Sequence, residues 1–146
     1  GGLGHHITAM SCLRAEAAWI GTRFLSATEA SGHKNMKSAV RNAGLDGTIY
    51  TRAFDIAQQL PWAPEFGGRA LRNAFSDKHE DLSAWEPNDA LREQMIKARA
   101  EAMTDIAPVY AGEAVQFVDA EQPAADVMRE LCGFRQILSD AARRFS

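Results

Sequence analysis

Apolar and polar positions follow one another along this chain in short blocks, and the rhythm of each block predicts an element. Residues 7–13 (ITAMSCL) read as a short apolar helix leading into residues 17–20 (AAWI), which are apolar on both faces and predict a buried parallel strand. That run ends abruptly in Gly21-Thr22. Residues 26–29 (SATE) then predict a helix start, with the acid near the positive end of the dipole. Within residues 33–43, Met36, Val40 and Ala43 fall at helical spacing, and Gly44 stops the helix. Residues 48–54 (TIYTRAF) are β-branched and aromatic, which predicts a partly solvated strand. Two prolines and a glycine pair make residues 60–68 a loop.

Residues 69–79 predict a helix with Leu71 and Phe75 on one face. The clearest stripe spans residues 88–104, where Leu91, Met95, Ala98 and Ala102 align opposite a face of paired charges, Arg92, Glu93, Lys97, Arg99 and Glu101. Residues 108–118 are mixed. Pro123 opens a long C-terminal helix carrying Val127, Met128, Leu131, Phe134, Leu138 and Phe145. The pattern is α/β, mostly helical with two or three strands.

A length of 146 residues suits one domain with a sizeable core, and 46% hydrophobic with 24% charged residues is ordinary for a globular protein. The net charge of −3 gives no reason to expect a nucleic-acid partner. Cys12 and Cys132 lie far apart without metal-type spacing and read as free thiols of a reducing, cytoplasmic setting. No apolar run approaches the ~20 residues of a bilayer span. The opening Gly1-Gly2-Leu3-Gly4 lacks a methionine and reads as a loop inside a longer protein.

The end of residues 17–20 is the leading candidate for chemistry. Glycine lets backbone amides approach an anion, and Thr22 adds a hydroxyl donor, so Gly21-Thr22 suits a phosphate. Such loops commonly follow the last two strands of a (β/α)8 barrel. His5-His6 is no metal pair, because adjacent side chains diverge and no ligand stands at i+4. His33 and His79 sit in polar helices and read as surface residues. Arg69, Arg72 and Asn73 (GRALRN) can clamp an anion or pin the proline-rich loop, and pinning is favoured. Trp62, between prolines, reads as a packed loop anchor. No nucleophile–base arrangement is argued from spacing, so no catalytic residue is assigned.

These segments together resemble the nitronate monooxygenase family, formerly called 2-nitropropane dioxygenases. Residues 16–25 (EAAWIGTRFL) look like that family's last barrel strand. Residues 51–58 (TRAFDIAQ), 60–62 (LPW), 68–73 (GRALRN) and 110–115 (YAGEAV) follow in the family's order, so the resemblance covers nearly the whole chain. It implies the C-terminal fragment of an FMN-binding TIM barrel with its helical second domain. The last β/α piece of the barrel would occupy residues 1–30, a helical cap residues 31–104, and a return segment with the C-terminal helix residues 105–146.

The implied activity is oxidation of alkyl nitronates by O2 to a carbonyl compound and nitrite. Gly21 and Thr22 would hold the FMN phosphate, Trp19 and Ile20 would line the approach, and Gly2 would belong to the preceding phosphate loop. The turn at residues 111–113 would return to the barrel mouth. Arg14 stands where the family usually has glycine, which costs on the order of 1 kcal/mol if the site needs positive φ. The family's catalytic histidine lies in an upstream Gly-Gly-His segment that has no match here, and neither His5 nor His6 replaces it. The missing N-terminal barrel segment would leave this chain alone inactive, with FMN bound weakly or not at all. Two alternatives stay open: an FMN-dependent enoyl-thioester reductase of the same superfamily, and a non-catalytic helical interaction module.

Overall fold

The structure, a computed structural model, describes residues 2–80, 82 and 88–145. Helix α1 (Gly2–Cys12) begins inside the glycine-rich opening, so Gly2 and Gly4 are helical and not part of the expected loop; Gly1 lies outside the described residues. Packing accounts for this. A Cβ on Gly4 would stand 3.0 Å from the Glu130 carbonyl oxygen, so its absence lets α1 lie directly on the backbone of the C-terminal helices.

Past α1 the chain turns on Arg14, which adopts a left-handed φ of 68°. Residues 15–20 then run without regular structure, and residues 16–19 are exposed. The buried strand expected at residues 17–20 is therefore not formed. β-structure needs a neighbour to complete its ladder, and no described residue offers one to this run. A 3-10 turn (Thr22–Ser26) follows. Helix α2 (Lys34–Asn42) begins later than the expected start at residues 26–29, because His33 caps it through Nδ1, which accepts the Asn35 N–H at 3.2 Å.

Strand β1 (Thr48–Thr51) is shorter than residues 48–54. Thr51 Oγ1 accepts the Ala53 N–H at 3.0 Å and turns the chain into helix α3 (Ala53–Ala57). Strand β2 (Gly68–Leu71) pairs antiparallel with β1 in a register running from Thr48↔Leu71 to Thr51↔Gly68. The helix expected over residues 69–79 is thus half strand. Its helical half, α4 (Ala74–Lys78), starts at a capping box: Asn73 Oδ1 accepts the Ser76 N–H at 2.9 Å, and Ser76 Oγ accepts the Asn73 N–H at 2.9 Å.

Residues 109–111 line the outer edge of β2. Leu71 N–H donates to the Val109 carbonyl at 2.9 Å, and Ala111 N–H to the Arg69 carbonyl at 3.1 Å. Helix α5 (Asp89–Ala100) forms where its stripe places it, capped by Asn88. A second 3-10 turn (Glu113–Phe117) leads to the C-terminal region. There the single expected helix is two, α6 (Ala124–Cys132) and α7 (Phe134–Phe145), meeting at Gly133.

The core has two clusters, and β2 feeds both by alternation. Leu71 joins Val40, Val109, Val115 and Val118, while Ala70 joins Phe54, Ala57, Phe75 and Met95. The sheet therefore holds the turn at residues 111–113 in fixed relation to α2 and α3.

Candidate functional site

The short turn after Gly21 is tied down by residues far away in sequence. Thr22 Oγ1 accepts the Gly112 N–H at 2.9 Å, a bond between positions 90 apart. It joins the GTRF and AGEAV segments that the sequence singled out separately. Accepting this bond leaves the Thr22 hydroxyl hydrogen free to donate elsewhere. The amides of Gly21 and Thr22 have no acceptor among the described residues. A Cβ built on Gly21 would meet nothing within 4 Å, so the backbone there is open.

Charged side chains clamp this turn to residues 118–130. Arg23, only 4% exposed, reaches Glu130 at 3.3 Å, and its Nη1 is buried without a partner. Ser26 Oγ donates to the Ala120 carbonyl at 3.1 Å. Buried Lys37 donates to the Ala27 carbonyl at 2.7 Å and the Thr28 carbonyl at 3.2 Å, and it shares Glu121 with Arg41. The Glu29 carboxyl is held below its ordinary value, chiefly because it accepts the Ala124 N–H. Glu130 is lowered too, first by the Gln122 amide and then by Arg23.

Beside the turn lies an open, mainly apolar cavity of about 730 Å³, walled by Met10, Trp19, Ile20, Phe24, Met128 and Leu131 among others. Of the residues expected to form a cofactor site, Trp19 and Ile20 line this space, and Gly21 and Thr22 follow directly. Trp19 is fully exposed. Gly2 is the first residue of α1.

A second cavity, of about 520 Å³, was not anticipated from sequence. Asp55, Leu60, Trp62, Phe66, Gly67, Gly68 and Tyr110 line it. Tyr110 donates its hydroxyl to Asp55 Oδ1 at 2.8 Å, and Gln58 Nε2 donates to the same hydroxyl at 3.2 Å. Burial, helped by the bond to Asp55, pushes the Tyr110 phenol up to about 12. Trp62 is 61% exposed, so it is a cavity wall and not the packed anchor expected. The available signal was Asp55 itself, a lone acid in the otherwise apolar run AFDIA.

The GRALRN side chains bond within the fold, but none of their bonds reaches the proline-rich loop they were expected to pin. Arg69 pairs with Glu113 at 3.1 Å and Arg72 with Asp77 at 2.9 Å, while Asn73 Nδ2 donates to the Thr104 and Ala107 carbonyls. Among the described residues no three His, Cys, Asp or Glu side chains gather as a metal site, and no helix is long and apolar enough to cross a membrane.

The family model of nitronate monooxygenase matches residues 1–133. A nitronate monooxygenase of Neurospora crassa is 30% identical over 123 residues, which is 82% of this chain and 32% of that protein. The chain thus spans about a third of the curated relative it matches. FabK from Thermotoga maritima shares the fold at a TM-score of 0.74 and 21% identity, over 98% of this chain and 44% of FabK. The nitroalkane oxidase from Streptomyces ansochromogenes does so at 0.70 and 24%, over 92% of this chain and 38% of the oxidase. A family model matched over residues 1–133 shows that this chain belongs to the nitronate monooxygenase family.

Proposed function

We propose that this chain is the C-terminal part of a TIM-barrel flavoenzyme that oxidises alkyl nitronates with O2 to a carbonyl compound and nitrite. The observation that carries the reading is the Gly112-to-Thr22 hydrogen bond, which brings the return segment onto a turn with open amides. The residues suit FMN. Two unpaired amides at Gly21 and Thr22, with the anchored Thr22 hydroxyl, are donors for a phosphate dianion, and no side chain crowds Gly21. Trp19 and Ile20 supply an apolar wall beside them. Bound there, FMN would supply the capacity to accept reducing equivalents from the substrate. This chain's residues bind and orient it; the general base belongs to the upstream Gly-Gly-His segment of the family.

Fold likeness to FabK supports a second reading, an FMN-dependent enoyl-thioester reductase. Anaerobic reduction of the native flavin in the full-length protein separates the two. Reduction by nitronate is expected, and reduction by NADH alone favours the reductase. The 146-residue chain by itself is expected to quench flavin fluorescence weakly or not at all. A tight FMN complex of the chain alone would overturn the fragment reading.

A further inference from the structure

The second cavity is built around a carboxylate that its surroundings leave half used. Asp55 is 7% exposed, and the only partner of its carboxylate among the described residues is the Tyr110 hydroxyl on Oδ1. Oδ2 faces Gly68: a Cβ placed there would lie 3.6 Å from it and 2.8 Å from Tyr110 Cε1. A Cβ on Gly67 would similarly press the Tyr50 ring at 3.0 Å, while its N–H donates to the Tyr50 hydroxyl at 2.8 Å. The two glycines therefore let aromatic rings close over bare backbone and keep the acid accessible from the cavity.

The walls are aromatic and open. Trp62, Phe66 and Tyr110 present ring surface to solvent around the acid. Ring faces attract cations, and a desolvated carboxylate demands one. Arg99 stands nearby but is bonded to the neutral Gln58 side-chain oxygen, and Arg69 pairs with Glu113. Asp55 itself takes part in no ion pair among the described residues.

We propose that the cavity bounded by Asp55, Trp62, Phe66 and Tyr110 binds a small organic ammonium ion, with one N–H donated to Asp55 Oδ2 and the alkyl body against the rings. Tyr110 holds Oδ1 and so presents the other oxygen. An alcohol of the same shape cannot replace the positive charge, and an anion is repelled. Nothing in this inference depends on the flavin reading.

The test needs no variant at first. Butylammonium, butanol and butyrate are titrated into the chain at fixed ionic strength, following the Trp62 indole N–H and the Gly67 and Gly68 amides by NMR. Saturable shifts are expected for butylammonium, with butanol at least about tenfold weaker and butyrate silent. Asp55→Asn should weaken butylammonium binding about tenfold or more, and Trp62→Ala, which keeps the acid, severalfold. Equal binding of butanol, shifts that survive Asp55→Asn, or no saturation would each overturn the assignment. An Nα-acetyl-lysine amide that binds about tenfold tighter than butylammonium would also overturn it, since a protein lysine would then be the occupant.

Discussion

Two of the buried charges, Arg23 and Asp55, are handled in opposite ways. Arg23 is closed off inside the protein: Glu130 answers one arm, Nη1 is buried without a partner, and the turn it belongs to is bonded at Ser26 as well. Asp55 is anchored on one oxygen by Tyr110 and left open on the other toward a cavity. A charge sealed away from solvent, even with one arm unpaired, serves only the fold. One whose free atom opens onto a cavity is available to something outside, and the difference is legible only when partners and access are counted atom by atom.

Truncation draws the contrast most sharply. Arg23→Ala empties the buried volume of the guanidinium and its stem, while half-exposed Glu130 stays solvated, and should cost about 2–3 kcal/mol of unfolding free energy. Asp55→Asn keeps an oxygen for the Tyr110 hydroxyl and should cost under about 1 kcal/mol. Urea midpoints of the two variants measure this, and equal losses would erase the distinction. Next in size is the glycine cradle. Gly68→Ala forces a Cβ to 2.8 Å from the Tyr110 ring and should cost about 2 kcal/mol, whereas Gly21→Ala, with open space and a negative φ, should stay within about 0.5 kcal/mol. Thermal melts of the pair decide whether the Asp55 corner is the tighter of the two.

Arg14→Gly, on the approach to the Arg23 turn, should gain about 1 kcal/mol by relieving the left-handed backbone. An unchanged melting temperature would mean that Arg14 is compensated by a contact. The smallest effect is pH dependence. Glu130 is depressed in the folded chain, so its stabilisation is complete above its ordinary value of 4.5 and is lost as pH falls through the lower folded value. Stability should therefore drop less steeply with acid in Glu130→Gln than in the parent chain, as read by urea midpoints at stepped pH.

Periodicity located the helices whose apolar stripes are packed within the chain. Met95 and Ala98 place α5, and Val40 places α2. It failed where side-chain bonds override pattern: Thr51 ended β1 early, and the Asn73–Ser76 box divided a segment that looks helical throughout. It failed again at residues 17–20, whose apolar character reports a preference for burial that no described neighbour satisfies. The Gly21-Thr22 turn was visible as a motif, and the left-handed backbone at Arg14 was legible only through the resemblance, which puts glycine at that position. Of the Asp55 corner only the lone acid in AFDIA was legible, because the rest depends on contacts between residues 50–68 and Tyr110 that no local pattern encodes.

The bond from Gly112 to Thr22 has a consequence for synthesis. Residues 21 and 22 leave the ribosome well before position 112 has been translated, so the donor side of that turn stays unfinished while most of the chain emerges. Closing so long a loop is entropically slow compared with forming the neighbouring helices. A nascent chain stalled short of that point would carry every residue of the GTRF segment and still lack the scaffold that fixes its threonine.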